Sequence, residues 1–133
     1  MIINKIFADD IKEEYFELYK EVFKENDLYQ SPAFVYVGYE DNKVVGFMSG
    51  YNHNAYTVYI QYAGATEQFR GYKVLNFFKE AIEFIHREYE FIMIWIRNDN
   101  IPALKIALSN NFRIIGTRMA TDRNLYIELL RRR

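Results

Sequence analysis

The sequence predicts one α/β domain over residues 1–133, with a mixed central sheet of about seven strands and helices on both faces. Three observations lead there. Apolar segments change period along the chain, reading strand, helix, three strands, helix, strand, helix and two strands. A helical pattern over Val74 to Arg87 sits between two strand-like segments, and such a crossover makes its flanking strands parallel neighbours. Short polar turns separate the other strands, which favours antiparallel pairing.

Ile2 to Phe7 reads as a strand, and Asp9 and Asp10 suit a helix start. Ile11, Tyr15, Phe16, Leu18, Tyr19, Val22 and Phe23 recur at helical spacing, with Glu13, Glu14, Glu17 and Glu21 on the wet side. Residues 26–32 read as a loop. Phe34 to Gly38, Lys43 to Tyr51 and Ala55 to Tyr62 form a three-strand meander, turning at Glu40-Asp41-Asn42 and at Asn52-His53-Asn54. The next helix places Val74, Phe78, Ala81, Ile82 and Ile85 on one side. Phe91 to Ile96 is almost wholly apolar, as for a strand covered on both faces. Ile101 to Ser109 is a short helix that tolerates Pro102 in its first turn, and Asn110-Asn111 suits a left-handed cap. Arg113 to Met119 and Leu125 to Leu130 are the last strands, an edge that can pair across a homodimer.

Composition narrows the function classes. Half the residues are apolar and 18% are aromatic, ample for a core. The absence of cysteine excludes disulfides, thiolate metal sites and a Cys nucleophile. The two histidines, His53 and His86, lack paired ligand spacing, so no metal is expected. No apolar run reaches the roughly 18 residues of a membrane span. The start, MIINKIFADD, has no signal-peptide core, so a cytoplasmic location is expected. The net charge of −1 divides into −5 over residues 1–66 and +4 over residues 67–133. A cationic second half suits an anionic ligand, although solvated helix faces and a basic end at Arg131 to Arg133 explain the same numbers.

The informative run is Tyr59 to Ile85. An aromatic-rich strand stops at Ala63-Gly64-Ala65, turns through a polar loop carrying Arg70-Gly71, and becomes an amphipathic helix. A strand feeding a helix through such a loop presents backbone N–H groups and a positive helix end to an anion. That arrangement suits a pyrophosphate.

These residues resemble the central motif of the GNAT acetyltransferases, Q/R-x-x-G-x-G/A, and the element order is similar to the GNAT fold over essentially the whole chain. Two registers are open. Anchored on Gln68, the loop reads Gln68-Phe69-Arg70-Gly71-Tyr72-Lys73, similar to the EQ-x-R/K-GYG of the histone-acetylating branch. Anchored on Arg70, it reads Arg70 through Leu75, and helix phase favours this register because it turns Val74, Phe78, Ile82 and Ile85 inward. In either register Lys73 stands where the family has Gly. A second segment, Asn100 to Phe112, is similar to N-x-x-A-x-x-L-Y-x-x-x-G-F, with Asn111 for Gly and Ala107 for the frequent Tyr.

The resemblance implies acetyl-CoA as co-substrate, held by Ala63, Gly64, Ala65, Arg70, Gly71, Tyr72, Lys73, Val74 and Asn100. It also implies backbone N–H donors at Ala63-Gly64-Ala65 for the thioester carbonyl. Family members often carry a Glu base on this strand, but residues 55–66 hold no carboxylate or His. Thr57 and Tyr59 fall near that position, and a phenol with a pKa of about 10 is a poor base near neutrality. Tyr62 is the candidate proton donor to the departing thiolate. His53 sits at the far end of the meander, and His86 reads as a surface residue. Tyr51, Tyr56, Tyr59, Tyr62 and Trp95 either line an acceptor pocket or pack across strands.

The expected activity is that of an N-acetyltransferase, a transferase moving an acetyl group to a primary amine of a small molecule or protein. Two alternatives stand beside it. One is a catalytically inactive GNAT-like binding or regulatory protein, favoured by Lys73, Ala107 and the missing carboxylate. The other is a nucleic-acid-modifying protein whose Arg113, Arg118, Arg123 and Arg131 to Arg133 meet phosphates.

Overall fold

The computed structural model describes residues 1–10, 33–66, 69 and 71–133. Its sheet has strands β1 (Ile2–Phe7), β2 (Phe34–Glu40), β3 (Lys43–Asn54), β4 (Thr57–Ala65), β5 (Phe91–Arg97), β6 (Arg113–Met119) and β7 (Leu125–Arg132). They lie in the spatial order β1-β2-β3-β4-β5-β7-β6. Helix α1 (Tyr72–Ile85) joins β4 to β5, and α2 (Ile101–Ser109) follows β5. Only β4 and β5 pair in parallel; the other neighbours are antiparallel. The helix expected over Ile11 to Phe23 lies outside the described residues. No helix among the described residues is long and apolar enough to cross a membrane.

Local chemistry explains the boundaries. Asp41 and Asn42 both have positive φ, 52° and 63°, the geometry of a two-residue hairpin whose twist matches its strands. Helix α2 ends with Asn111 at φ 67°, while Asn111 N–H donates to Leu108 O and Phe112 N–H to Ala107 O. That pair of bonds closes the helix end, and Phe112 carries the chain back into the core beside Ala107. Strand β3 runs on to Asn54 and the turn falls at Ala55-Tyr56, later than the expected Asn52-His53-Asn54, because Asn54 Oδ1 accepts from Tyr56 N–H.

Both helices pack into one cluster on one face of the sheet. Phe77, Ala81, Ile82 and Ile85 of α1 and Ala107 of α2 join Ile60, Ile92, Leu129 and Phe112 there. Phe77 lies directly over Gly38 and Gly46, where a Cβ would come within 2.7 Å of its ring. The deepest α1 aromatic is therefore Phe77, whereas the expected Phe78 is only half-buried. Sharing a face follows from handedness: β6 runs parallel to β5 with β7 between, so α1 and α2 make successive crossovers in the same direction.

Arg131 and Arg132 are strand residues and Arg133 is bonded to Glu90 O through its backbone, so the C-terminal arginines are not a loose basic tail. Arg131 Nε donates to Asn110 O at 2.7 Å and Arg133 Nη1 to His86 O at 2.8 Å, so two guanidinium groups cap the carbonyl ends of α2 and α1. Arg132 pairs with Glu90 at 3.3 Å. These contacts leave less of the end for phosphates than the sequence suggested.

His86 is also corrected. It is 5% exposed, at the C-terminal cap of α1, and its Nδ1–H donates to Tyr89 O at 3.0 Å. The expectation of a surface residue failed because the chain folds back at Tyr89 and β7 closes over the cap. Burial first, then Arg131 and Arg133, push its pKa below 6.5 despite the Tyr89 carbonyl. The folded protein thus holds His86 neutral, and its contribution is complete above the unfolded value of about 6.5 and lost as pH falls below it. Denaturant midpoints measured at about pH 7.5 and 5.5 should show a larger acid drop for the wild type than for His86→Gln.

Candidate functional site

Strands β4 and β5 pair over only four positions, from Thr57↔Phe91 to Ile60↔Ile94. Beyond them β4 stays with β3 up to Ala65, and β5 stays with β7 up to Arg97. The sheet therefore splits. The break coincides with a β-bulge: Gly50 opposes Ile60 and Ser49 opposes Tyr62, leaving Gln61 as the extra residue. A bulge bends its strand and increases local twist, which steers β4 away from β5. Gly50 permits the close strand approach, since a Cβ there would lie 2.2 Å from Tyr59 O.

The bulge also sets which backbone groups line the split. Phe91 N–H donates to Tyr56 O, so Val58 and Ile60 face β5 by the two-residue period of the strand. Past the bulge the phase is fixed by Thr66 N–H donating to Val45 O on β3 at 2.9 Å. Gly64 then faces β3 as well, and the N–H groups of Ala63 and Ala65 face the split. The strand was expected to end at Tyr62; the three small residues instead remain strand, with one edge open.

The loop from β4 into α1 is pinned at both ends. Thr66 Oγ1 donates to Val44 O at 3.0 Å, and Phe69 N–H donates to Thr66 O while its ring is buried in the core. Neither anchor was singled out in the sequence. Gly71 follows at φ 96° and ψ −133°, a conformation open to glycine and strained for other residues. Helix α1 starts without a side-chain cap or an acidic residue in its first turn. The N–H groups of Tyr72 and Lys73 and the positive helix end stand at the mouth of the split, an arrangement suited to an anion, while Val74 N–H donates to Gly71 O at 3.1 Å.

Asn100 stands on the β5 side of the same mouth. Its Oδ1 accepts from Ala103 N–H at 3.3 Å, capping α2, a role the sequence motif did not reveal. Val74 is half-buried in the first turn of α1 and Asn76 is exposed, the helix phase of the Arg70-anchored register. Arg70 lies outside the described residues, and Tyr62, Tyr72 and Lys73 are placed by backbone alone. Ala107 is 5% exposed and packs with Phe112 and Leu129 inside the core, so no polar atom reaches the split from that position. His53 is exposed at the opposite end of the sheet. No metal-binding group of His, Asp and Glu side chains occurs among the described residues.

On the face away from the helices, Tyr59 contacts Tyr51 and Trp95, with ring centroids 5.0 and 4.9 Å apart. Arg118 lies 4.4 Å over the Trp95 ring and 3.6 Å from Glu128. These residues flank the apex of the split.

A mixed sheet opened at a bulge, with an uncapped helix start at its mouth, defines an α/β protein with a slot between two of its strands. The chain belongs to the acetyltransferase (GNAT) family, whose model matches residues 2–112. No curated protein matches it in sequence. Among solved structures it resembles a GNAT family acetyltransferase from Elizabethkingia anophelis with acetyl-CoA bound, at 16% identity and TM-score 0.77, covering 98% of this chain and 97% of that one. It resembles the Campylobacter jejuni N-acetyltransferase PseH in complex with acetyl coenzyme A at 15% identity and TM-score 0.71, covering 98% and 99%. Arabidopsis thaliana Naa50, in complex with a bisubstrate analogue, matches at 16% identity and TM-score 0.69, again covering 98% and 99%.

Two glycines carry the strain of the site. Gly50→Ala, forced against the Tyr59 backbone, should cost about 1–3 kcal/mol in urea unfolding. Gly71→Ala, held at positive φ, should cost about 1–3 kcal/mol as well.

Proposed function

We propose that this protein is an N-acetyltransferase that takes acetyl-CoA as co-substrate and a primary amine as acceptor. The observation that carries the reading is the early end of the β4–β5 ladder at Ile60↔Ile94, which opens a slot in the sheet beside the start of α1. A pantetheine arm is an extended chain of amides. It fits a slot edged by the N–H groups of Ala63 and Ala65, where it takes the place of a missing strand. Gly64 keeps that edge slim. At the mouth, the first-turn N–H groups of α1 at Tyr72 and Lys73 meet the pyrophosphate, with Gly71 setting the turn and taking the Val74 N–H on its own carbonyl at 3.1 Å. In the sequence Arg70 and Lys73 flank Gly71, and their charges suit a pyrophosphate. Asn100 has its oxygen committed to Ala103, so its Nδ2 donates to a pantetheine carbonyl.

The chemistry asks little of the protein beyond placement. The neutral amine attacks the thioester carbonyl, a C–N bond forms and the C–S bond breaks. The ammonium proton passes to solvent, and the products are the N-acetyl compound and CoA thiol. Ala63 N–H donates to the developing oxyanion. Tyr62 stands on β4 at the apex and is the proposed donor to the thiolate. The buried Ala107 removes the position that otherwise supplies this proton, and it favours a second reading in which the site binds acetyl-CoA without turnover.

Calorimetric titration with acetyl-CoA tests the reading. Micromolar binding is expected, weakened about tenfold or more in an Arg70→Ala/Lys73→Ala double variant, a loss of about 1.4 kcal/mol or more. No heat at millimolar acetyl-CoA would overturn it.

A further inference from the structure

Cross-strand register brings three chemically distinct side chains together on the face opposite the helices. Trp95 follows Ile94, the last β5 residue paired to β4, so it sits one position past the apex of the split. Its partner on β7 is Glu128, and the partner of Glu128 on β6 is Gly116. Arg118, two residues on from Gly116, shares that face. It reaches back to stack 4.4 Å from the Trp95 ring centroid, with Nε 3.6 Å from Glu128 Oε1. Trp95 Nε1 is buried without a hydrogen-bond partner among the described residues. Gly116 leaves the far carboxylate oxygen open, since even an added Cβ would stand 3.5 Å from Glu128 Oε2.

The ion pair is built for exchange rather than for stability. The Arg118 side chain is 51% exposed and that of Glu128 24%, and a pair at 3.6 Å in that setting contributes little to folding. Its position matters more. On the face opposite α1 and α2 the Arg118 side chain is half-exposed and Tyr51 is exposed, which gives an acceptor an approach to a thioester in the split. The pair also discriminates by charge. A simple amine that takes Glu128 strands the guanidinium on Trp95, whereas a ligand carrying both charges on one small unit replaces one internal pair with two intermolecular ones. The guanidinium fork suits a carboxylate, and the Tyr51–Tyr59–Trp95 rings supply an apolar shelf beside it.

We propose that Arg118 and Glu128 form a zwitterion clamp that selects a free α-amino acid with an apolar side chain as the acetyl acceptor. Arg118 binds its carboxylate, and Glu128 receives its ammonium at the apex, which gives up one proton to solvent before the neutral amine attacks the thioester. The assignment rests on the acetyltransferase reading for its biological sense, but the clamp can be measured without turnover.

Trp95 is the only tryptophan in the chain, so its emission, excited at the red edge beyond tyrosine absorption, reports on this site alone. The protein, with and without CoA, is titrated with L-leucine, leucinamide and isoamylamine, which differ only at the carboxylate. A saturable response to L-leucine is expected, with leucinamide and isoamylamine about tenfold or more weaker. Arg118→Ala should abolish that preference, Arg118→Lys should restore part of it, and Glu128→Gln should weaken all three ligands. Equal binding of leucinamide would overturn the clamp in favour of a peptide N-terminus. Equal binding of isoamylamine, or no response to any common L-amino acid, would overturn it outright. Acetyl-CoA calorimetry on the same samples separates the two ideas, because a lost cofactor with a retained leucine response sinks the activity and keeps the clamp.

Discussion

The structure turns on one extra residue. Gln61 interrupts the regular pairing of β4 with β3, and from that point β4 and β5 go separate ways after four parallel pairs. A parallel pair is ordinarily buried and continuous, so ending it early opens backbone donors inside a sheet. Everything else at the site serves that opening. Gly50 permits the bulge, Thr66 sets the phase of the residues beyond it, and Phe69 anchors the loop that returns the chain to α1. The helix start at Gly71 adds the positive end that a phosphate needs. An edge that would be an aggregation hazard on the outside of a sheet lies here between two strands, and in the proposed function a chain-like ligand pairs with it.

The split also assigns the two faces different work. The successive right-handed crossovers place α1 and α2 together, so one face is closed by Phe77, Ile82, Ile85 and Ala107. The ends of those helices are tied down by Arg131 and Arg133, which couples β7 to both. The opposite face keeps its aromatic and charged residues around the apex. Glu128 is the carboxylate nearest the apex in register among the described residues. It lies on β7, not on β4.

Much of the frame was legible because it is written locally. The strand and helix order follows from hydrophobic period, the Asp41-Asn42 hairpin from residues that tolerate positive φ, and the end of α2 from Asn111 doing the work of glycine. The loop at Arg70-Gly71 was found for the same reason, since Gly71 needs no partner to be informative. What was not legible depends on distant contacts. The bulge at Gln61 exists only relative to β3. His86 is buried by the end of the chain, with Arg133 reaching it from 47 residues later, and Phe77 outranks Phe78 because two glycines on β2 and β3 leave room beneath it. The charges of Arg131 to Arg133 looked like a tail until their helix-capping partners were in place. Trp95, Arg118 and Glu128 are far apart in sequence, and only the β5-β7-β6 order makes them neighbours.

The central claim is that the open edge of β4 beyond the bulge is where acetyl-CoA lies. Residue-resolved amide hydrogen exchange, with and without saturating acetyl-CoA, tests it most directly. The account predicts that Ala63 and Ala65 exchange readily in the free protein and become protected on binding, while Val58 and Ile60, already laddered to β5, stay unchanged. Saturation with no gain in protection at Ala63 and Ala65, or protection appearing at the far end of the sheet near His53, would contradict it.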